Sequence, residues 1–296
     1  MRASLKFRVV KIVPSRARVR LNAKARNRIL FDESECECEG EKRTCSVSRL
    51  DGRARHARDV LKLTVGSRVR AGVINVGRYI ARVTVMNERE VEFTMETLEA
   101  SARDAEVDVV LAMPRPKALT RLWAPLAQLG VGRIVIVNAN KVERYYFDSS
   151  ALDGEEVRRE ILRGLEQAGD ARTPQVGVGL RLPPVIDRIS GASTSDDTNG
   201  FEWLLEGDRG WKTKADVLLI AHPGQGPTSV ADALDGATGK RVCLAIGPEG
   251  GWTDYELALF ENAGFKRVGL GSRTFTTDVA CISLVSAVRE RLQSWQ

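Results

Sequence analysis

The sequence predicts an α/β fold: a mostly parallel sheet with helices on both faces. From residue 106 onward, apolar runs of strand length alternate with helical periodicity, as is typical of sheets covered on both sides. Near the end of the chain, two of these runs are each followed by a glycine-rich turn and a predicted helix. We expect both turns at one edge of the sheet, where α/β proteins bind ligands.

The two strand–turn–helix units have clear boundaries in the sequence. The first combines a predicted strand over Val242–Ile246 with the turn Gly-Pro-Glu-Gly-Gly at 247–251. Thr253 and Glu256 have the spacing of a capping box and predict the start of its helix. The second unit predicts a strand over residues 266–270, a turn at Gly271 and a helix from about residue 277.

The rest of the second half repeats the alternation. Pro125 is expected to kink or shorten the predicted helix at 119–129. The tract 190–216 is polar and rich in turn residues, so it predicts a flexible insertion. The remaining predicted elements are a strand at 107–112, a helix at 119–129, a strand at 133–137, a helix around 157–165 and a strand at 217–221.

The first half is patterned differently. Residues 28–99 contain short, alternating, β-branched runs at 69–74, 79–86 and 91–95, separated by glycines. This pattern predicts a small β-barrel in front of the α/β region. Charged and apolar positions alternate from residue 56 to residue 66.

Composition excludes several classes of protein. The chain has 296 residues, 43% of them hydrophobic, and no apolar run of membrane-spanning length. Its five cysteines are scattered and odd in number, which favours free thiols in a reducing compartment over a disulfide framework. Cys36, Cys38 and Cys45 cluster, but with only two histidines in the chain we expect no metal site and no Ser–His–Asp site.

Positive charge is concentrated at the start of the chain. Residues 1–31 contain ten Lys or Arg and no acid, and the rest has 35 basic against 39 acidic residues. Contacts to nucleic acid would therefore come from local patches. The acid-free leader predicts a mitochondrial or plastid transit peptide, with a cytoplasmic location otherwise. A basic arm that touches RNA and a misassigned start are the alternatives.

Three segments near the C-terminus resemble the ribosomal RNA small subunit methyltransferase E family, which belongs to the SPOUT class. They are Ile-Gly-Pro-Glu-Gly-Gly at 246–251, Leu-Gly-x-Arg at 270–273 and Thr-Asp-x-Ala at 277–280. Shorter matches are Arg-Ile-Leu-Phe at 28–31, the His-x-x-x-Val-Leu-Lys segment from residue 56, Gln-Leu-Gly-Val at 128–131, Glu-Gln-Ala-Gly at 166–169 and His-Pro-Gly at 222–224.

The resemblance implies an architecture and a reaction. It implies a SPOUT-type knotted sheet preceded by a PUA-like, RNA-binding barrel, and a homodimer with no metal and no membrane contact. We therefore expect a basic leader over residues 1–26, a PUA-like barrel over 27–102 and a methyltransferase domain over 103–296. The implied activity is methylation of N3 of a uridine in small-subunit rRNA with S-adenosyl-L-methionine as cofactor. A catalytically inactive rRNA-binding assembly factor on the same fold is the alternative.

The resemblance also assigns residues to roles. Arg273 is expected to stabilise the uridine anion, and Glu249 or Asp278 to accept the N3 proton. Glu249 could instead only brace its turn, and Asp278 could cap a helix. The residues implied to bind the cofactor are His222, Pro223, Gly224, Ile246, Gly247, Pro248, Glu249, Gly250, Gly251, Leu270, Gly271, Arg273, Thr274 and Thr277.

Two further points remain open at this stage. RNA contacts are expected from Arg55, His56, Arg58 and Lys62, unless they form an ordinary solvated face with His56 packed on the barrel. Thr276 stands where the family has a second arginine, and Asp278 replaces a glutamate. Loss of a permanently charged, planar group is not conservative at an RNA site.

Overall fold

The computed structural model describes residues 28–40, 42–101, 106–192, 201–205, 215–223 and 228–292. The predicted leader lies outside these residues. Within these ranges, no helix is long and apolar enough to cross a membrane, and no group of three or more His, Cys, Asp or Glu side chains is arranged to hold a metal ion.

The first part of the chain forms a six-stranded sheet. The β-branched runs become strands because their alternating apolar side chains pack on one core. Phe31 and Phe93 are fully buried in this core, with their ring centroids 5.2 Å apart. The strand order is β1-β4-β5-β6-β3-β2, and only the β1–β4 pair is parallel. The strands are β1 (Ile29–Phe31), β2 (Cys36–Glu39), β3 (Lys42–Ser48), β4 (Arg68–Val73), β5 (Gly77–Met86) and β6 (Glu90–Ser101).

A disulfide joins the antiparallel strands β2 and β3. Cys36 on β2 lies directly opposite Cys45 on β3, with their Cα atoms 4.0 Å apart, and their sulfur atoms are bonded. The expectation of free thiols is therefore wrong for these two residues. Sequence spacing did not show the bond because it depends on the register of the hairpin. Cys38, Cys243 and Cys281 are free.

The second part forms an eight-stranded sheet of order β10-β9-β8-β7-β13-β11-β14-β12. Every pair is parallel except β10 with β9, which confirms the mostly parallel sheet. The strands are β7 (Val107–Ala112), β8 (Arg133–Val137), β9 (Gln175–Gly179), β10 (Phe201–Leu205), β11 (Val217–Ala221), β12 (Thr228–Ser229), β13 (Val242–Ile246) and β14 (Lys266–Gly269).

The central strands of this sheet are covered on both faces. Every residue of β7, β8 and β13 is buried, which requires helices above and below. The helices are α1 (Gly52–Arg55), α2 (Pro116–Gln128), α3 (Gly154–Ala168), α4 (Leu182–Ser190), α5 (Val230–Ala233), α6 (Asp254–Asn262) and α7 (Thr277–Leu292), of which α1 belongs to the first sheet. Helix α2 packs against α3 and α7, whereas α4 packs against α6.

Two sequence expectations about this region need correction. Helix α2 continues through Pro125 to Gln128, so the proline does not shorten it. Tight packing against α3 holds the helix in place, since a Cβ on Gly164 would lie only 2.3 Å from the Ala124 carbonyl oxygen. Residues 201–205 of the predicted flexible insertion form strand β10, which adds to the edge of the sheet, whereas residues 193–200 and 206–214 lie outside the described ranges. Its apolar residues pair with β9, a tertiary contact that local composition does not reveal.

The buried guanidinium of Arg28 connects the two sheets. It donates to the carbonyl oxygens of Ala71 (2.6 Å) and Tyr79 (3.1 Å) on the first sheet, and to that of Gly169 (3.0 Å) after α3. It also pairs with Glu99 at 2.6 Å. Burial lowers the pKa of Arg28, against the opposing effect of Glu99. Arg28 is therefore one of the contacts that fix the first sheet against the second, together with the Arg158–Asp32 ion pair and the hydrogen bonds between Asn75 and Thr173.

Replacing Arg28 tests this connection. Arg28→Met keeps the stem but leaves the acceptors without their donor, so we expect it to lower the free energy of unfolding by about 3 kcal/mol. Urea unfolding of the full chain would measure the change. The control is Arg159→Met, because Arg159 is exposed and pairs only with its helical neighbours, and we expect little effect there. Equal stability of the two variants would contradict the assignment.

Candidate active site

The first glycine-rich turn forms where β13 ends. The chain leaves the sheet at Gly247, and Gly251 donates its N–H to the carbonyl of Pro248 at 2.8 Å. Gly251 has φ +69°, a left-handed conformation that glycine adopts without strain. Helix α6 then begins with the predicted capping box, in which the side chains of Thr253 and Glu256 reach each other's backbone N–H.

The second turn follows β14. That strand ends at Gly269, one residue earlier than expected, and Gly271 turns the chain with φ +91°. Helix α7 begins at Thr277 as predicted. Strand β11 lies between β13 and β14 with all three parallel, so the two turns and His222 after β11 reach the same edge of the sheet.

These segments enclose a cavity of about 410 Å³. The structure brings together thirteen of the fourteen residues predicted to bind the cofactor, while Gly224 falls outside the described ranges. The thirteen are His222, Pro223, Ile246, Gly247, Pro248, Glu249, Gly250, Gly251, Leu270, Gly271, Arg273, Thr274 and Thr277. The lining residues absent from the predicted set are Ala221, Trp252, Val268, Gly269, Phe275, Thr276, Ala280 and Leu284. Of these, Trp252 lies next to the glycine motif and offered a signal.

Two glycines lie where a side chain would not fit easily. A Cβ on Gly247 would come within 3.1 Å of Nε1 of the buried Trp252. A Cβ on Gly250 would lie 3.0 Å from the Lys141 side chain, whose Nζ donates to the Gly250 carbonyl at 2.8 Å. The glycines therefore let backbone and neighbouring side chains approach closely around the cavity.

Two buried nitrogen atoms at the cavity have no hydrogen-bond partner among the described residues: Nδ1 of His222 and Nε1 of Trp252. An unsatisfied buried polar atom is costly, and such atoms often mark where a ligand binds. Desolvation, followed by the positive charge of Arg267, lowers the pKa of His222 below its ordinary value. Both effects favour the neutral imidazole of His222.

Arg273 and Glu249 both line the cavity but differ in their partners. The Arg273 side chain is exposed and forms no hydrogen bond or ion pair with any described residue. Glu249 is exposed, and its Oε1 accepts the backbone N–H of Arg115, the residue before α2, at 3.0 Å. Its other oxygen is left without a described partner. Glu249 thus stabilises the start of α2 through one carboxylate oxygen, and its second oxygen can contact a ligand.

Asp278 is placed differently. It is not among the residues that line the cavity, and it lies inside the first turn of α7 rather than at a capping position before it. It accepts from the Thr276 hydroxyl at 2.5 Å, from the Val279 N–H at 3.1 Å and from Arg121 of α2 at 3.0 Å. The Thr276 hydrogen bond is the main cause that lowers the pKa of Asp278.

The predicted RNA-contacting residues lie elsewhere, on α1, on the π-helical turn His56–Val60 and, for Lys62, just after that turn. Arg55, His56 and Lys62 are exposed, so His56 does not pack on the sheet as the alternative interpretation had it. Arg58 pairs with Asp59 at 2.8 Å. The structure thus groups these four side chains on one short segment, apart from the cavity.

A family model described as the RNA methyltransferase domain matches residues 101–289, which is more than half of the chain. The chain belongs to the RNA methyltransferase domain family. The matched region contains the whole eight-stranded sheet and both glycine-rich turns. The cavity is therefore part of the RNA methyltransferase domain.

Similar proteins carry consistent names. Ribosomal RNA small subunit methyltransferase E of Treponema pallidum is 29% identical over 275 residues, covering 91% of this chain and 93% of that protein. Ribosomal RNA small subunit methyltransferase E 1 of Borreliella burgdorferi is 20% identical over 238 residues, covering 80% and 89%.

Solved structures share the fold. A ribosomal RNA small subunit methyltransferase E from Neisseria gonorrhoeae, bound to S-adenosyl methionine, has a TM-score of 0.64 at 16% identity, covering 89% of this chain and 97% of its own. A methyltransferase from Legionella pneumophila, in complex with the same cofactor, has a TM-score of 0.61 at 18% identity, covering 89% and 98%.

The lowered pKa of His222 predicts how stability depends on pH. Because the folded pKa is lowered, the unfolded chain binds more protons as the pH falls below the ordinary histidine value, so the free energy of unfolding decreases there. We expect His222→Asn to reduce this decrease. Urea unfolding at pH 7.5, 6.5 and 5.5 would measure it, with the exposed His56→Asn as matched control. A pH slope as steep in His222→Asn as in wild type would refute the assignment.

Proposed function

We propose that this RNA methyltransferase uses S-adenosyl-L-methionine to methylate N3 of a uridine in small-subunit rRNA. The observation that carries the proposal is the glycine-built cavity at the carboxyl edge of the parallel sheet. Its volume of about 410 Å³ is in the range of small-molecule sites. The names of the relatives from Treponema and Borreliella support the rRNA substrate, and the cofactor-bound structural neighbours support the cofactor.

The residues present fit this cofactor. Backbone groups of the 247–251 and 269–271 turns can hydrogen-bond an adenine and an amino-acid tail, because no side chain at the glycines stands in the way. The unpartnered Nδ1 of His222 and Nε1 of Trp252 offer further polar contacts. A neutral His222 also avoids repulsion with the cofactor's positive charge. The bound cofactor supplies a methyl group already activated by its sulfonium, so the protein mainly has to align the nucleophile and exclude water.

Arg273 and Glu249 have the chemistry that the uridine requires. The N3 imide proton is weakly acidic, so the nucleophile is the anion that remains when this proton leaves. Arg273, which has no described partner, can stabilise the charge that develops on the neighbouring carbonyl oxygens. The second oxygen of Glu249 can accept the proton. Asp278 is the weaker candidate because three hydrogen bonds favour its ionised form and lower its pKa.

The resemblance to the ribosomal RNA small subunit methyltransferase E family also supports proposals about the knot, the first domain and the oligomeric state. We infer that the eight-stranded sheet is knotted in the SPOUT manner, that the six-stranded sheet is a PUA-like barrel, and that two chains associate as a homodimer. The exposed Arg55, His56 and Lys62, together with Arg58, would then extend the contact with RNA. The acid-free basic leader supports import into a mitochondrion or plastid.

Methylation of small-subunit rRNA tests this proposal. The full chain is incubated with unmethylated small ribosomal subunits and methyl-labelled cofactor, and the digested nucleosides are identified by mass spectrometry. We expect the label in N3-methyluridine. Arg273→Ala and Glu249→Gln should each lower kcat by about 100-fold, because each removes a group that acts in the transition state.

Controls separate the roles of these residues. Arg159→Ala, on an exposed helix face, should keep wild-type activity, and Asp278→Asn should lose less than Glu249→Gln. Label on another nucleoside would refute the uridine assignment. Cofactor binding without any transfer to rRNA would favour an inactive assembly factor on the same fold.

A further inference from the structure

A second cavity, of about 660 Å³, lies beside the first. It is formed where β8 and β9 end and where α6 begins, so it opens at the same edge of the sheet. The first glycine-rich turn and the start of α6 lie between the two cavities. Gly251 and Trp252 line the first cavity, and Thr253 and Glu256 line the second. None of the residues that line the second cavity has a role in the reaction proposed above.

One polar group in this cavity has no partner. Oδ1 of Asn138, the first residue after β8, is buried and accepts no hydrogen bond from the described residues. The side chains of Glu256 and Thr253 are already used, since Glu256 accepts the Asn140 N–H at 2.7 Å and pairs with Thr253 in the capping box. Asn138 is therefore the group that a ligand would satisfy. A side-chain amide has a donor and an acceptor, which matches the edge of a nucleobase.

The walls of the cavity suit a flat, partly apolar ligand. Leu180 is 55% exposed and Tyr255 is 70% exposed, although both are large side chains with substantial apolar surface. Exposed apolar and aromatic groups around a recess are typical of binding surfaces. A tyrosine in such a place can stack on a base, as in sites for single-stranded nucleic acid.

Two cationic side chains lie near the boundary between the two cavities. Lys141 donates to the Gly250 carbonyl at the first cavity, and Arg144, which lines the second, is exposed and has no partner among the described residues. The backbone of a strand that crosses from one cavity to the other would therefore pass over two cations. Arginine and lysine side chains are suited to binding phosphates.

We propose that the second cavity binds a nucleobase of the RNA substrate next to the nucleotide that is methylated. Asn138 hydrogen-bonds the edge of this base, Tyr255 stacks on its face, and Arg144 contacts the adjoining phosphate. The inference rests on the proposed function, because it assumes that RNA enters the first cavity. It adds to that function a site that reads the sequence around the target.

Binding of short RNA tests the site. The probes are fluorescein-labelled hexamers of riboadenylate, ribocytidylate and ribouridylate, titrated with the full chain and followed by fluorescence anisotropy. We expect wild type to distinguish the three, and Asn138→Ala to reduce this preference by about fivefold, since one base-edge contact is lost. Tyr255→Ala, an exposed substitution that leaves the fold intact, should weaken all three by about tenfold.

The control variant is Asn262→Ala, at the exposed end of α6, which should bind as wild type does. Titration of S-adenosyl methionine into the same proteins should give one unchanged dissociation constant, which also shows that Asn138→Ala is folded. Equal binding of the three probes by wild type, or unchanged binding by Asn138→Ala and Tyr255→Ala, would overturn the proposal. Wild type that binds the hexamers in this pattern but not the cofactor would refute the proposed function and leave the base site standing.

Discussion

The candidate active site depends on the parallel alignment of β13, β11 and β14. Since all three strands run in one direction side by side, their carboxyl ends meet at one edge and present three loops together. Glycines in two of these loops allow the backbone to turn sharply and to approach the buried Trp252 and the Lys141 side chain. The first cavity depends on this parallel arrangement, because in an antiparallel sheet the loops would alternate between the two edges.

Buried charges hold the opposite edge of the sheet. Asp108, near the start of β7, accepts hydrogen bonds from Arg133 at the start of β8 and from Arg241 just before β13, at distances of 2.7–3.1 Å. Both side chains of the Asp108–Arg133 pair are at least 93% buried. Removing one partner of a buried pair leaves a desolvated charge, so this cluster strongly constrains which strands are neighbours. Arg28 is a second buried charge of this kind, and its hydrogen bonds reach both sheets.

Much of the fold and of the first cavity could be predicted from the sequence. The turn residues, the capping box of Thr253 and Glu256 and the apolar runs are local signals, and the structure confirms the elements they predict. What failed depends on pairing between strands or helices that local sequence patterns do not show. The Cys36–Cys45 bond requires the register of a hairpin, β10 requires an edge to pair with, and the passage of α2 through Pro125 relies on packing against α3. The second cavity gave no signal because Asn138 and Tyr255 are 117 residues apart in the chain.

The central claim is that the glycine-built cavity binds S-adenosyl methionine. Calorimetric titration of this cofactor into the full chain tests it most directly, with Gly250→Val to place a side chain in the glycine-rich turn, against Lys141, and Gly52→Val as control. Gly52 has nothing within 4 Å of an added Cβ. The account predicts saturable binding by wild type and by Gly52→Val, and its loss in Gly250→Val. Absence of binding by folded wild-type protein, or equal binding by Gly250→Val, would contradict it.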